Sequence, residues 1–126
     1  MAFVQSNPNP KAARVGDCVI RAITIAMDST WEKVYSELAV YGFMLCDMPS
    51  SNAVWGRYLT DHGFESFSVN NNCPFDCYTI TEFCRDYPSG TYILGTGSHV
   101  VAVINGNYYD TWDSGNEVPT YFWRVK

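Results

Sequence analysis

Apolar side chains recur along this chain in two different periods, and the change falls near Gly90. Before it, the spacing is helical. Cys18 to Met27 (CVIRAITIAM) is apolar nearly all round, with Arg21 and Thr24 as the exceptions. Its β-branched residues would suit a strand, but its length and the small Ala22 and Ala26 favour a buried helix. Ser29-Thr30-Trp31-Glu32 reads as a capping box in which Ser29 caps and Glu32 reaches back. Trp31, Val34, Tyr35 and Leu38 follow at i, i+3, i+4 and i+7, and Gly42 is placed to close that helix. Val54, Trp55, Tyr58 and Leu59 make a third stripe, opened near Ser50–Ser51 and stopped at Gly63. Thr79-x-x-Glu82 is a second capping box. It leads the stripe Ile80, Phe83, Cys84, Tyr87, which Pro88 ends.

Beyond Gly90 the pattern is that of strands. Thr91–Leu94 and Val100–Ile104 are rich in β-branched and aliphatic residues. Asn105-Gly106 is a strong two-residue hairpin signal, with Tyr108–Trp112 as the return strand and Thr120–Val125 as a further one. Residues 5–16 form a loop-like lead stiffened by Asn7-Pro8-Asn9-Pro10. The expected class is α+β: N-terminal helices, one central and buried, on a C-terminal antiparallel sheet.

Length and charge narrow the function classes. At 126 residues the chain predicts one domain, 1–126, that buries about two-thirds of its unfolded surface. With 47% hydrophobic and 16% aromatic residues it should fold. No apolar run approaches the roughly 18 residues of a spanning helix, so no membrane partner is expected. The start of the chain, MAFVQSNPNPKAARVG, is polar and proline-broken, unlike a secretory signal. The net charge of −5 disfavours nucleic acid. The expected location is cytoplasmic. Five cysteines cannot all pair within the chain, and a reducing compartment would leave them mostly free.

One cysteine has a chemical context. Gly16-Asp17-Cys18 puts Cys18 at the start of the buried helix, where unpaired backbone N–H groups favour thiolate and can bind an oxyanion. A thiolate nucleophile works with an imidazole, and the chain has two. His62 sits at a helix end, where a cation is favourable for ordinary reasons. His99 opens an apolar strand behind Gly97 and is the preferred partner of Cys18. If Asn105-Gly106 is a two-residue turn, Ile104 pairs with Asn107, Trp112 faces His99, and Asp110 is its diagonal neighbour. A three-residue turn would instead bring Asp113 opposite His99. Asn-Gly ranks Asp110 ahead of Asp113, though either aspartate could be a solvated turn residue.

Gly16-Asp17-Cys18 opening a helix, His99 opening a strand, and Asp110-Thr111-Trp112 on the next strand resemble the papain-like cysteine peptidases. There the order is Cys, His, then Asn or Asp, and an Asn-Ser-Trp run follows the histidine strand. Cys18-Val19-Ile20-Arg21-Ala22-Ile23 also resembles the Cys-x-x-Arg-Ala run of ovarian-tumour-type deubiquitinases, which have an aspartate where this chain has Val15. Most of the length is similar to small papain-like proteins of Firmicutes and their prophages, a likeness that brings no substrate with it. The resemblance implies a thiol-dependent hydrolase or acyl transferase acting on an amide, isopeptide or thioester bond. Cys18 would attack, His99 would move the proton and Asp110 would orient His99, with no cofactor. The papain-like oxyanion-hole glutamine falls at Ala12 here. Gln5, Asn7 or Asn9 would have to supply that donor, and Asn9, held between two prolines, is preferred.

Such a short chain has little room for a deep pocket, so the expected substrate is a small peptide or a protein tail. The alternative is a weak or inactive papain-like binding protein, such as a phage would encode, that takes a host factor or a small acidic ligand. Lys11, Arg14 and Arg21 around Cys18 could attract such a ligand, or they could be a solvated loop and a buried ion pair. Cys46, Cys73, Cys77 and Cys84 could form a four-thiolate zinc site, but their spacing is irregular and free structural thiols are preferred.

Overall fold

Residues 2–125 are described by a computed structural model. In chain order the elements are β1 (Ala2–Gln5), α1 (Cys18–Ala26), α2 (Trp31–Leu45), α3 (Asn52–Asp61), β2 (Phe64–Ser68), α4 (Ile80–Asp86), β3 (Thr91–Gly95), β4 (Val100–Ile104), β5 (Asn107–Asp110) and β6 (Tyr121–Val125). The class is α+β.

The strands form one sheet in the order β1-β5-β4-β3-β6-β2. The sheet is not wholly antiparallel, as expected from sequence, but mixed: β1 runs parallel to β5, with Phe3 beside Tyr108 and Gln5 beside Asp110. Nor is it all C-terminal, because β1 and β2 come from earlier in the chain. β1 lies before the lead that sequence reads as loop, and β2 pairs with β6, Phe67 beside Phe122.

Both faces of the sheet are covered, which explains why β4 reads Val-Val-Ala-Val-Ile without a polar partner set. Val100 and Ala102 join Ile93 in a core with Val19, Ala22 and Ile23 of α1, Val34 and Leu38 of α2, and Trp55, Tyr58 and Leu59 of α3. Val101 and Val103 face the other way with Leu94, Tyr108 and Phe122, against Ile80, Phe83 and Cys84 of α4. Each of these aliphatic and aromatic side chains contributes about 1.5–3 kcal/mol when fully buried.

Several boundaries differ from the sequence reading for local reasons. Thr30, not Ser29, caps α2, its side chain accepting from the Lys33 N–H at 3.2 Å. Ser29 still belongs to the turn out of α1, its N–H donating to the Thr24 carbonyl at 3.0 Å. Gly42 does not end α2 but lies buried inside it. A side chain there would meet the Asp47 carbonyl oxygen at 2.7 Å, so the glycine lets the following loop fold back. The helix stops instead at Cys46, in the left-handed conformation with φ 55°. The capping box at Thr79 is present in both halves. The return strand β5 stops at Asp110, two residues short of the expected Trp112. Cys73 and Cys77, expected as free thiols, are joined by a disulfide. The loop between them folds into a tight turn closed by a bridge between Asn72 and Asp76, which brings the two cysteines together.

Candidate active site

Cys18 is the first residue of α1, and Asp17 is its N-cap. The Asp17 side chain does not cap the helix. It is buried and turned inward, ion-paired through Oδ1 with Arg21 Nη1. Its Oδ2 accepts from Trp31 Nε1 at 2.9 Å and from Asn9 Nδ2 at 3.3 Å. The N–H groups of the first turn, with no intrahelical acceptors, therefore remain for whatever approaches Cys18.

His99 ends the tight connection between β3 and β4. Its carbonyl accepts from the Thr96 N–H at 2.8 Å, which pins the backbone one residue before the strand begins. Its ring lies at Cys18 on one side and Asp110 on the other. Nε2 is 2.6 Å from Asp110 Oδ2, and the His99 side chain is 12% exposed. The indole of Trp112 lies beside the imidazole, ring centroids 5.2 Å apart and the planes tilted by 35°.

The hairpin that sets the pairing closes as a two-residue turn. Ile104 pairs with Asn107 and Ala102 with Tyr109. Asn105 and Gly106 both have positive φ, 51° and 78°, as a type I′ turn requires. Asp110, rather than Asp113, meets His99. Asp113 accepts from the Tyr108 hydroxyl at 2.5 Å and the Gly115 N–H at 3.1 Å. The other histidine, His62, ends α3, stacked on Tyr58 and hydrogen-bonded to the Tyr58 carbonyl at 2.7 Å.

Asp110 is held on every side. Oδ2 also accepts from Ser114 Oγ at 2.7 Å, Oδ1 accepts from the Thr111 N–H at 2.8 Å, and Arg21 Nη2 is 3.6 Å from Oδ1. Ser114 escaped the sequence reading; the turn Asp113-Ser114-Gly115 directly after the strand is the signal that could have found it.

These contacts shift three titrations in a consistent way. Burial would push the Cys18 thiol up, but the hydrogen bond from His99, the Val100 N–H, and the charges of His99 and Arg21 together hold it below its ordinary value. Burial would push His99 down, but hydrogen bonds and charge from Asp110 and Cys18 raise it to about 9. Burial would raise Asp110, but His99, Ser114 and Thr111 keep it below the usual carboxylate range. The three shifts agree in sense: each group favours the charged form of its neighbour.

The three side-chain amides considered as oxyanion donors each have a partner elsewhere. Gln5 Nε2 donates to the Thr111 carbonyl at 2.9 Å, and Asn7 Nδ2 to the Ala13 carbonyl at 3.2 Å. Asn9 turns its amide to Asp17, while its Oδ1 accepts from the Lys11 N–H at 2.9 Å. Lys11 and Arg14 are exposed, whereas Arg21 is buried in its ion pairs.

The remaining thiols do not gather around a metal. Cys46 is exposed, Cys84 is buried with burial raising its thiol to about 11, and Cys73 is bonded to Cys77. Among the described residues no group of three or more His, Cys, Asp or Glu side chains is placed to hold an ion. No helix among them is long and apolar enough to cross a membrane. A small cavity of about 180 Å³ lies beside the start of α1, lined by Gly16, Asp17, Val19, Ile20, Tyr35, Pro49 and Ser50. Compared with known proteins, the chain matches no family model, no curated protein and no solved structure.

Proposed function

We propose that this protein is a thiol-dependent hydrolase or acyl transferase acting on an amide, isopeptide or thioester bond, in the manner of the papain-like peptidases it resembles. The observation that carries the reading is the place of His99, 2.6 Å from Asp110 on one side and near enough to Cys18 on the other to hold its thiol below the ordinary value. In this reading the Cys18 thiolate attacks the carbonyl carbon. The C–S bond forms, the bond to the leaving group breaks, and the His99 imidazolium protonates the leaving group. Water or a second nucleophile then attacks the thioester, gives its proton to His99 and releases the thiolate. Backbone N–H groups of the first turn of α1 receive the negative charge on oxygen. The substrate this reading favours is a short peptide or an extended protein tail, because a chain of 126 residues has little room for a deep pocket.

The test is acylation by an activated ester such as p-nitrophenyl acetate, followed by mass mapping. One acyl group on Cys18, lost in Cys18→Ala and retained in Cys46→Ala, with p-nitrophenol released beyond one equivalent per chain, is the expected result. No acylation, or equal acylation of Cys46, counts against the enzyme. The second reading, a binding protein on the same scaffold, is favoured by one observation: Asn9, Asn7 and Gln5 all direct their amides elsewhere. It predicts a reactive Cys18 that acylates but does not turn over.

A further inference from the structure

We propose that Arg21 is a positioning residue for this site: its buried guanidinium ties Asp110 to the start of the Cys18 helix and keeps that carboxylate compensated while His99 gains and loses a proton. The inference rests on the proposed thiol chemistry and assigns to it a residue outside the Cys18–His99–Asp110 line.

Arg21 stands three residues after Cys18, so the two side chains are neighbours along one side of α1. Its side chain is 9% exposed. A guanidinium does not lose its proton, so burial demands counter-charge, and two carboxylates from different elements supply it. Asp17 comes from the cap of the same helix, and Asp110 from the end of β5, with Oδ1 3.6 Å from Nη2. The planar fork of arginine can address both at once, and a lysine ammonium at the same position would keep the charge between them. Asp17 is itself braced by neutral donors, Trp31 Nε1 and Asn9 Nδ2. The guanidinium is therefore not exhausted by Asp17.

The consequence lies in the proton cycle. Asp110 has one partner whose charge changes, His99, and three that do not: Ser114, the Thr111 N–H and Arg21. Without Arg21, Asp110 would become a buried carboxylate with no cation beside it when the imidazolium gives its proton to a leaving group. Such a state is costly. Arg21 is the cation that remains. The ionisable groups facing this cluster are Asp17 and Cys18 at the start of α1, His99 before β4, Asp110 at the end of β5, and Tyr121 at the start of β6. Lys11 and Arg14 on the lead loop are exposed.

The readout is the rate of Cys18 alkylation by iodoacetamide against pH, mass-mapped in the full chain, with thermal unfolding measured in parallel. Loss of a nearby cation raises the pKa of every group in the cluster. Arg21→Met should move the midpoint of thiolate formation up by about one pH unit, about tenfold in rate below the midpoint. Arg21→Lys, which keeps the charge, should return to within about threefold of wild type. Asp17→Asn, which leaves Arg21 to Asp110 alone, should move the midpoint down. A merely structural Arg21 would lower the unfolding temperature and leave the midpoint where it was, and that result in folded R21M overturns the proposal. So does R21K behaving as R21M. If R21M does not fold, Asp17→Asn decides, and an unmoved or raised midpoint overturns it. Should wild-type Cys18 react no faster than the exposed Cys46, the proposed function fails, and this inference with it.

Discussion

His99 Nε2 lies 2.6 Å from Asp110 Oδ2, although eleven residues and a hairpin turn separate the two in the chain. Asn105 and Gly106 make that contact possible, because their positive φ values close the turn in two residues and set which aspartate arrives opposite the imidazole. The hairpin is also tied from outside: Asn105 Oδ1 accepts from the Gly90 N–H at 3.0 Å.

Gly106→Ala should therefore weaken both fold and site. A Cβ there sits on a residue with φ 78° and meets the Cys84 carbonyl oxygen at 3.2 Å. The expected cost is roughly 1–3 kcal/mol by urea denaturation, with slower Cys18 alkylation in the folded variant. Unchanged stability would show that the turn is not held in the left-handed region.

Asp110→Asn keeps the shape of the side chain and removes its charge. His99 should lose its main stabilising partner and titrate well below about 9, as followed by NMR of the ring protons. Ester turnover should fall roughly 10²–10⁴-fold. A His99 titration unmoved by the substitution would mean that the carboxylate does not govern it.

The pH dependence has a definite sign. Acyl transfer needs the thiolate together with the imidazolium, so activity should rise below the ordinary thiol range and fall as pH passes through about 9, where His99 deprotonates. Folding stability follows the same groups. The His99 contribution is fully present below its unfolded value of about 6.5 and is lost as pH rises through about 9. The Asp110 contribution is present above its unfolded value of about 3.9 and is lost as pH falls through its depressed folded value. Denaturation midpoints at pH 3, 7 and 10 check both limbs.

Gly95 and Tyr121 test the sheet under the site. Gly95 pairs with Val100 on one side and Tyr121 on the other, and the Tyr121 ring folds across it. A Cβ on Gly95 would fall 2.0 Å from Tyr121 Cζ. Gly95→Ala should cost roughly 1–3 kcal/mol. In Gly95→Ala/Tyr121→Ala the cost should be smaller than the sum of the single changes. Strict additivity would contradict the contact.

Much of this architecture can be read from local signals. The stripe Val54, Trp55, Tyr58, Leu59 marks α3, the Thr79–Glu82 box marks the start of α4, and Asn105-Gly106 carries the register that brings Asp110 to His99. What escaped depends on distant parts of the chain. β1 pairs in parallel with β5, so no turn announces it. β2 is an edge strand of five residues whose Phe64-Glu-Ser-Phe67 spacing is too short to stand out. The Cys73–Cys77 pairing depends on how one loop folds, which spacing does not specify. Arg21 reads as a polar interruption of a buried helix; only the approach of β5 reveals its second carboxylate.

The central claim, that Cys18 is a thiolate activated by His99, is tested most directly by competition between two thiols of the same folded chain. At pH 6, limiting iodoacetamide followed by mass mapping should label Cys18 well ahead of Cys46, although Cys46 is the more exposed. In His99→Ala that order should disappear. Labelling of Cys46 first in the wild type, or an order unchanged by His99→Ala, would contradict the account.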